Sequence, residues 1–139
     1  MAYNVFLVAS LGAPRNHHAL FVETDPVSRG GILLNVTGNI QNGMQFEERS
    51  TNKPEESAGF VDQSPLGWVA AGDLDRMRSI CERNPPPKKQ FNGPKRLYPK
   101  ERLRRCQEWT NETIDALTNN RVLQSFAMAT TETPAEEEY

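Results

Sequence analysis

The sequence predicts an α+β domain, an antiparallel β-meander of about five strands followed by packed helices. Three observations lead there. Short apolar or alternating runs fill the first half of the chain, Gly, Pro, Asn and Asp interrupt them at short intervals, and helical periodicity sets in only at Asp73. Connections this short join antiparallel neighbours, because a parallel pair needs a crossover of about a dozen residues.

The predicted strands run from Tyr3 to Ala9, His17 to Glu23, Ile32 to Thr37, Met44 to Glu47 and Trp68 to Ala70, with hairpin turns at Gly30-Gly31 and Asn42-Gly43. Between the last two strands, Glu48 to Ser57 is polar and carries Asn52, Lys53 and Pro54, so it reads as a surface loop placed to overhang a cleft. Asp73 is a suitable N-cap for a helix whose Leu74, Met77, Ile80 and Cys81 share one face as far as Asn84. Pro85, Pro86, Pro87, Pro94 and Pro99 then predict an extended, irregular crossing up to about Lys100. Leu103, Cys106, Thr110, Ile114 and Leu117 form the stripe of a second helix ending near Asn119-Asn120. A short element from Val122 to Met128 is expected to pack behind it. Trp68 and Trp109 read as core aromatics.

At 139 residues and 37% apolar content the chain suits one domain, residues 1–130, with 131–139 as an acidic disordered tail carrying four glutamates and Pro134. Sixteen basic against eighteen acidic residues leave a net charge of -2, which favours neither nucleic acid nor a membrane surface as partner. No run approaches the roughly 20 apolar residues of a membrane span, and Val5 to Ala9 lacks the basic flank of a signal peptide. The glycosylation-type triplets at Asn35 and Asn111 carry little weight. Two cysteines are too few for a disulfide scaffold, so a reducing, cytoplasmic setting is the simpler expectation, with a Cys81–Cys106 bridge as the alternative.

Cys106 and the two histidines, His17 and His18, carry the candidate chemistry. A cysteine at a helix start and a distant strand histidine are the parts of a thiol nucleophile and its base. The helix N-terminus presents unpaired N–H groups and favours the thiolate. No Ser, Thr, Asp or Asn stands between Lys100 and Arg105, so two starts are open: at Cys106, or at Lys100 with Cys106 nearly two turns inside. Strand alternation sends His17 and His18 to opposite faces, both otherwise apolar, which rules out a compact zinc site from both histidines with the cysteines. No metal, cofactor or phosphate-binding glycine loop is expected. Asn35 shares a face with Thr37, so one face of that strand is polar.

Three segments carry a resemblance. His17-His18-Ala19-Leu20-Phe21-Val22 resembles the histidine strand of the circularly permuted papain-like superfamily, the NlpC-type and lecithin:retinol acyltransferase-like proteins. Leu33 to Thr37 is similar to its next strand, whose polar residue orients the histidine, and Arg105 to Trp109 to its nucleophile segment. The chain also resembles a fungal branch with the phrases Gly-Ala-Pro-Arg-Asn-His-His and Arg-Arg-Cys-Gln-Glu-Trp-Thr. The resemblance implies a permuted papain-like fold and a catalytic set of Cys106, His17 and Asn35, with Arg105 and Asn35 standing where the superfamily usually has Asn or Asp and a histidine. Arg105, Trp109 and His18 make up the expected substrate-binding set.

The implied chemistry is a thiol-dependent hydrolase or acyltransferase acting on an amide, peptide or ester carbonyl through a thioester. The alternative is a noncatalytic binding module on the same fold, with Cys106 as a small core residue. The partner is then a small-molecule, peptide or acyl substrate. Eight basic residues between Lys88 and Arg105 against the single Glu101 lead into Cys106. Two readings stay open for them: a field that attracts an anionic substrate, or a solvated loop balanced by the acidic tail. Oligomeric state is not set by the sequence.

Overall fold

The computed structural model describes residues 1–12 and 15–126. Its sheet contains β1 (Ala2–Ser10), β2 (His17–Glu23), β3 (Gly31–Asn39), β4 (Gly43–Thr51) and β5 (Phe60–Ala70). Two helices follow, α1 (Leu74–Arg83) and α2 (Cys106–Asn119), separated by a small hairpin of β6 (Phe91–Asn92) and β7 (Lys95–Arg96), and β8 (Gln124–Ser125) completes the sheet. The sheet has six strands in the order β4-β3-β2-β1-β5-β8, all pairs antiparallel. The first four strands form the expected meander. The fifth then crosses to the free side of β1, with register shifts at Val5/Phe6 and Ala9/Ser10 that relax the pairing.

Two apolar layers result, because β2 is buried on both faces from Ala19 to Val22. On the helix face, Val5, Leu20, Val22, Leu34 and Val36 pack against Met77, Trp109 and Leu117. The opposite face carries a smaller cluster of Val8, Ala19, Phe21 and Leu33, joined by Phe6 and Phe60. Period-two alternation in β2 and β3 sorts these residues between layers. The same alternation therefore decides where each candidate site residue projects. Gly31, the first residue of β3, has to be glycine because a Cβ there would lie 1.9 Å from the Val22 carbonyl oxygen.

Several expectations need correction. β4 continues past Glu47 to Thr51 and β5 begins at Phe60, so the loop predicted over Glu48 to Ser57 shrinks to residues 52–59 with a 3-10 turn at Pro54–Glu56. Leu34↔Glu48, Leu33↔Arg49 and Ile32↔Ser50 are paired positions, and an edge strand such as β4 tolerates a charged exposed side. Trp68 is 36% exposed rather than core, since alternation in β5 turns Val69 inward instead. The proline-rich crossing holds the β6–β7 hairpin, and Gly31 lies inside β3, leaving the turn to Asp25–Arg29 with Arg29 at φ 64°. Val122 and Leu123 are buried behind α2 and lead into β8. The remainder of that element from 127 and the acidic tail lie outside the described residues. Among the described residues no helix is long and apolar enough to cross a membrane.

Candidate functional site

The start of α2 is set by tertiary contacts rather than by a capping hydroxyl. The Gln90 side chain brackets Arg104, accepting from its N–H at 2.9 Å and donating to its carbonyl at 2.8 Å. The Arg104 guanidinium binds Glu112 at 2.7 Å, Asn84 Oδ1 at 3.0 Å and the Pro85 carbonyl at 2.7 Å. Arg105 is extended, and its N–H donates to Glu108 Oε1 at 2.6 Å, the glutamate half of a capping box. Cys106 is consequently the first helical residue, and the alternative start at Lys100 is excluded. Glu108, three residues after the cap, was the sequence signal for this boundary. First-turn N–H groups have no partner within the helix, so the Cys106 amide is placed as a donor next to its own sulfur.

His17 opens β2 on the other side of the site. Pairing between β2 and β3 extends from Glu23↔Gly31 to Leu20↔Leu34, beyond which the strands part toward His17 and Thr37. Across that parting the Asn35 side-chain amide donates to His17 Nε2 at 3.0 Å, while Asn35 Oδ1 is buried without a hydrogen-bond partner. Burial depresses the His17 pKa below 6.5, and the charges of His18 and Arg49 push the same way against a smaller opposing effect of Glu47. The imidazole is therefore neutral at pH 7 and can accept a proton.

Residues from the two ends of the chain meet at the end of the sheet. A cavity of about 220 Å³ is lined by Cys106, Arg105 and Gln107 from α2 and its cap, by His17 from β2, and by Gly38 to Gln41 of the β3–β4 turn. Two contacts pin the segment before His17 to α2: Arg15 pairs with Glu108 at 2.9 Å, and the Gln107 side-chain amide donates to the Asn16 carbonyl. Arg15 and Gln107 were not among the sequence candidates, and no local pattern marks them. Cys106 belongs to the helix-face core, 6% exposed, whereas His17 and Asn35 alternate with Ala19 and Leu33 of the opposite layer. The parting of β2 from β3 lets His17 serve both sides, and it also lines a second cavity of about 260 Å³ on the opposite face. No hydrogen bond joins the Cys106 sulfur to His17 among the described residues.

Other candidates fall elsewhere. His18 shares the helix face with Leu20 and does not line the Cys106 cavity; its Nδ1 is buried without a partner, and burial, then Arg15, depress its pKa against Glu108. Trp109 corrects the expected substrate-binding set: it is fully buried, packs on Phe46 at 6.0 Å between ring centroids, and donates its indole N–H to the Asn84 carbonyl at 2.9 Å. An aromatic enclosed on all sides has no face left for substrate. Arg105 does line the cavity.

Both cysteines are free thiols, so the alternative Cys81–Cys106 bridge is absent. Burial pushes the Cys81 thiol up to about 12, which leaves it protonated. In the basic run, Lys88 pairs with Glu101 at 3.3 Å and lies over the Tyr98 ring, Lys89 binds the Gln41 carbonyl, and Arg96 binds the Glu101 carbonyl. Much of that charge is spent on the loop's own structure. Among the described residues no three His, Cys, Asp or Glu side chains are grouped to hold a metal.

A family model described as a family of unknown function matches residues 5–124. No curated protein and no solved structure matches the chain.

Proposed function

The chain belongs to that family, DUF6540, and from the geometry of its site we propose a thiol-dependent hydrolase or acyltransferase built on a permuted papain-like fold. The observation that carries this reading is the shared cavity, into which α2 brings Cys106 at its first position and β2 brings His17, with Asn35 behind the ring. Once the Asn35 amide turns its Oδ1 to accept from His17 Nε2–H, Nδ1 is the free base; it takes the proton from the Cys106 thiol, and the sulfur attacks the carbonyl carbon of an amide, peptide or ester. The Cys106 N–H stabilises the oxyanion; loss of one such donor costs about 2.7–4 kcal/mol of barrier stabilisation. The imidazolium returns its proton to the leaving amine or alcohol. Water or another acceptor, deprotonated by His17, then cleaves the thioester.

Protonation of His17 places a proton on both ring nitrogens. Asn35 Oδ1 therefore accepts from Nε2–H both before and after proton transfer, an orientation reached from the observed one by a half-turn of the planar amide. Asn35 is thus the residue that orients the ring in both states. Arg105 at the cavity wall favours an anionic group on the substrate. A reducing, cytoplasmic setting keeps the thiol available.

The test is incubation of the protein with a panel of peptides, amides and acyl esters, followed by mass spectrometry of Cys106. An acyl adduct that is released by hydroxylamine and absent from Cys106→Ser and His17→Ala supports the enzyme. No adduct from any donor, with Cys106 alkylation indifferent to His17→Ala, leaves a binding module on the same fold.

A further inference from the structure

The second cavity, of about 260 Å³, lies on the sheet face away from the helices and brings Glu47 and Arg49, which the thiol chemistry does not use, together with Asn35 and His17. Its apolar floor is Val8, Ala19, Leu33 and Phe60. Its polar wall comes from β3 and β4, where Leu33↔Arg49 and Asn35↔Glu47 are paired positions, so Asn35, Glu47 and Arg49 share one face. Glu48, between the two charged residues, points the other way and binds Arg78 at 2.9 Å.

Glu47 and Arg49 stand two residues apart on that face, about 7 Å along the strand, yet neither makes an ion pair among the described residues. Asn35 is 3% exposed, and its Oδ1 has no hydrogen-bond partner. A buried acceptor of this kind calls for a donor. An adjacent anion and cation that do not neutralise each other call for a ligand carrying both charges on neighbouring atoms.

We infer that this cavity binds the zwitterion of an apolar α-amino acid. Arg49 takes the carboxylate, Glu47 and Asn35 Oδ1 take the ammonium, and the aliphatic or aromatic side chain lies on Val8, Ala19, Leu33 and Phe60. Guanidinium and carboxylate match in geometry, and an ammonium supplies the three donors that an acidic residue and an amide oxygen can share. With Oδ1 held by the ammonium, the Asn35 amide nitrogen faces His17 Nε2, as observed. The inference needs no chemistry at Cys106, but His17 and Asn35 belong to both sites, so binding is read separately from acylation.

The experiment is titration calorimetry of the full chain with L-leucine and L-phenylalanine, against leucinamide, which lacks the carboxylate, and 4-methylpentanoate, which lacks the ammonium. Parallel NMR spectra follow the His17 ring protons, which lie beside the site. Saturable one-to-one binding of leucine or phenylalanine is expected, with a shift of the His17 signals and a loss of about tenfold or more in affinity for each truncated analogue, since a site built for a polar group rejects ligands lacking it. Arg49→Gln should weaken leucine but leave leucinamide unchanged, and Glu47→Gln should weaken leucine but leave 4-methylpentanoate unchanged. Both side chains face solvent on one side, so these variants fold, which a thermal melt verifies. The inference is overturned by no saturable binding at millimolar concentration, which leaves the cavity to water, by equal affinity for leucine and its analogues, or by unchanged leucine binding in both variants.

Discussion

The Asn35 amide and the His17 imidazole meet at 3.0 Å where β2 and β3 stop pairing. Two strands that part would expose unpaired backbone and let water between the layers; a side-chain hydrogen bond across the gap holds them at a fixed separation. It also places His17 where it lines both cavities, the one with Cys106 and the one behind the sheet. Burial keeps the ring neutral, and that has a measurable consequence.

Stability should fall between pH 7.5 and 5.5. His17 and His18 are both held below 6.5 by burial, so the folded chain binds their protons less readily than the unfolded chain. The stability due to these depressed values is present above 6.5 and is lost as pH falls toward and through the folded pKa values. Asp25, Glu55 and Glu108 are also depressed, from reference values of 3.8 and 4.5, but their contribution is lost only at lower pH. Urea midpoints across this range isolate the histidines. Asn35→Asp should flatten the slope, because a carboxylate beside Nε2 raises the His17 pKa. Identical wild-type midpoints at pH 7.5 and 5.5 would contradict the burial assigned to the rings.

Alkylation should separate the two thiols. Iodoacetamide at pH 7.5 is expected to label Cys106, at the cavity wall, at least tenfold faster than Cys81, which is fully buried and pushed up to about 12. Peptide mapping over a time course reads both sites in one sample. Labelling of Cys81 first would mean that the core opens more readily than the cavity admits reagent.

Arg104→Ala should destabilise the chain by about 2 kcal/mol, the scale of charged hydrogen bonds lost from a partly buried group. Its guanidinium ties α2 to the end of α1 through Glu112, Asn84 and the Pro85 carbonyl. Arg104→Lys should recover little, since an ammonium cannot span three acceptors in that plane. Denaturant melts measure both; a lysine variant as stable as wild type would show that charge alone suffices.

What the sequence reveals about this molecule divides along the range of the forces involved. The bounds of β2 and the amphipathic face of α1 follow from side-chain period, which acts over a few residues, and both are seen in the structure, whereas the β3 face read as polar from Asn35 and Thr37 also carries Leu33 of the second apolar layer. The length of β4 was hidden because an edge strand is free to carry Glu48, Arg49 and Ser50, which read as loop. The start of α2 was left open because its cap, Arg105, is not a capping residue type; the Glu108 carboxylate marks the boundary locally, and Gln90, remote in sequence, fixes it through Arg104. The same holds for the site: Cys106, His17 and Asn35 were readable as residue types in order, whereas Arg15 and Gln107, which join the two chain ends, become visible only with the sheet in place.

Trp109 provides the test of that division, because the sequence offered it both as a core aromatic and in the substrate-binding set, and its burial makes it a core residue. Trp109→Ala should cost about 3–5 kcal/mol, the usual range for emptying a large aromatic site. Trp109→Phe keeps most of the apolar volume but leaves the Asn84 carbonyl without its indole partner, costing about 1–3 kcal/mol. The phenylalanine variant should fold and alkylate at Cys106 at the wild-type rate, because the indole faces Asn84 and Phe46 rather than the cavity. Urea melts and labelling kinetics on the same preparation check both statements. A Trp109→Phe protein with unchanged stability and altered Cys106 reactivity would return Trp109 to the cavity wall.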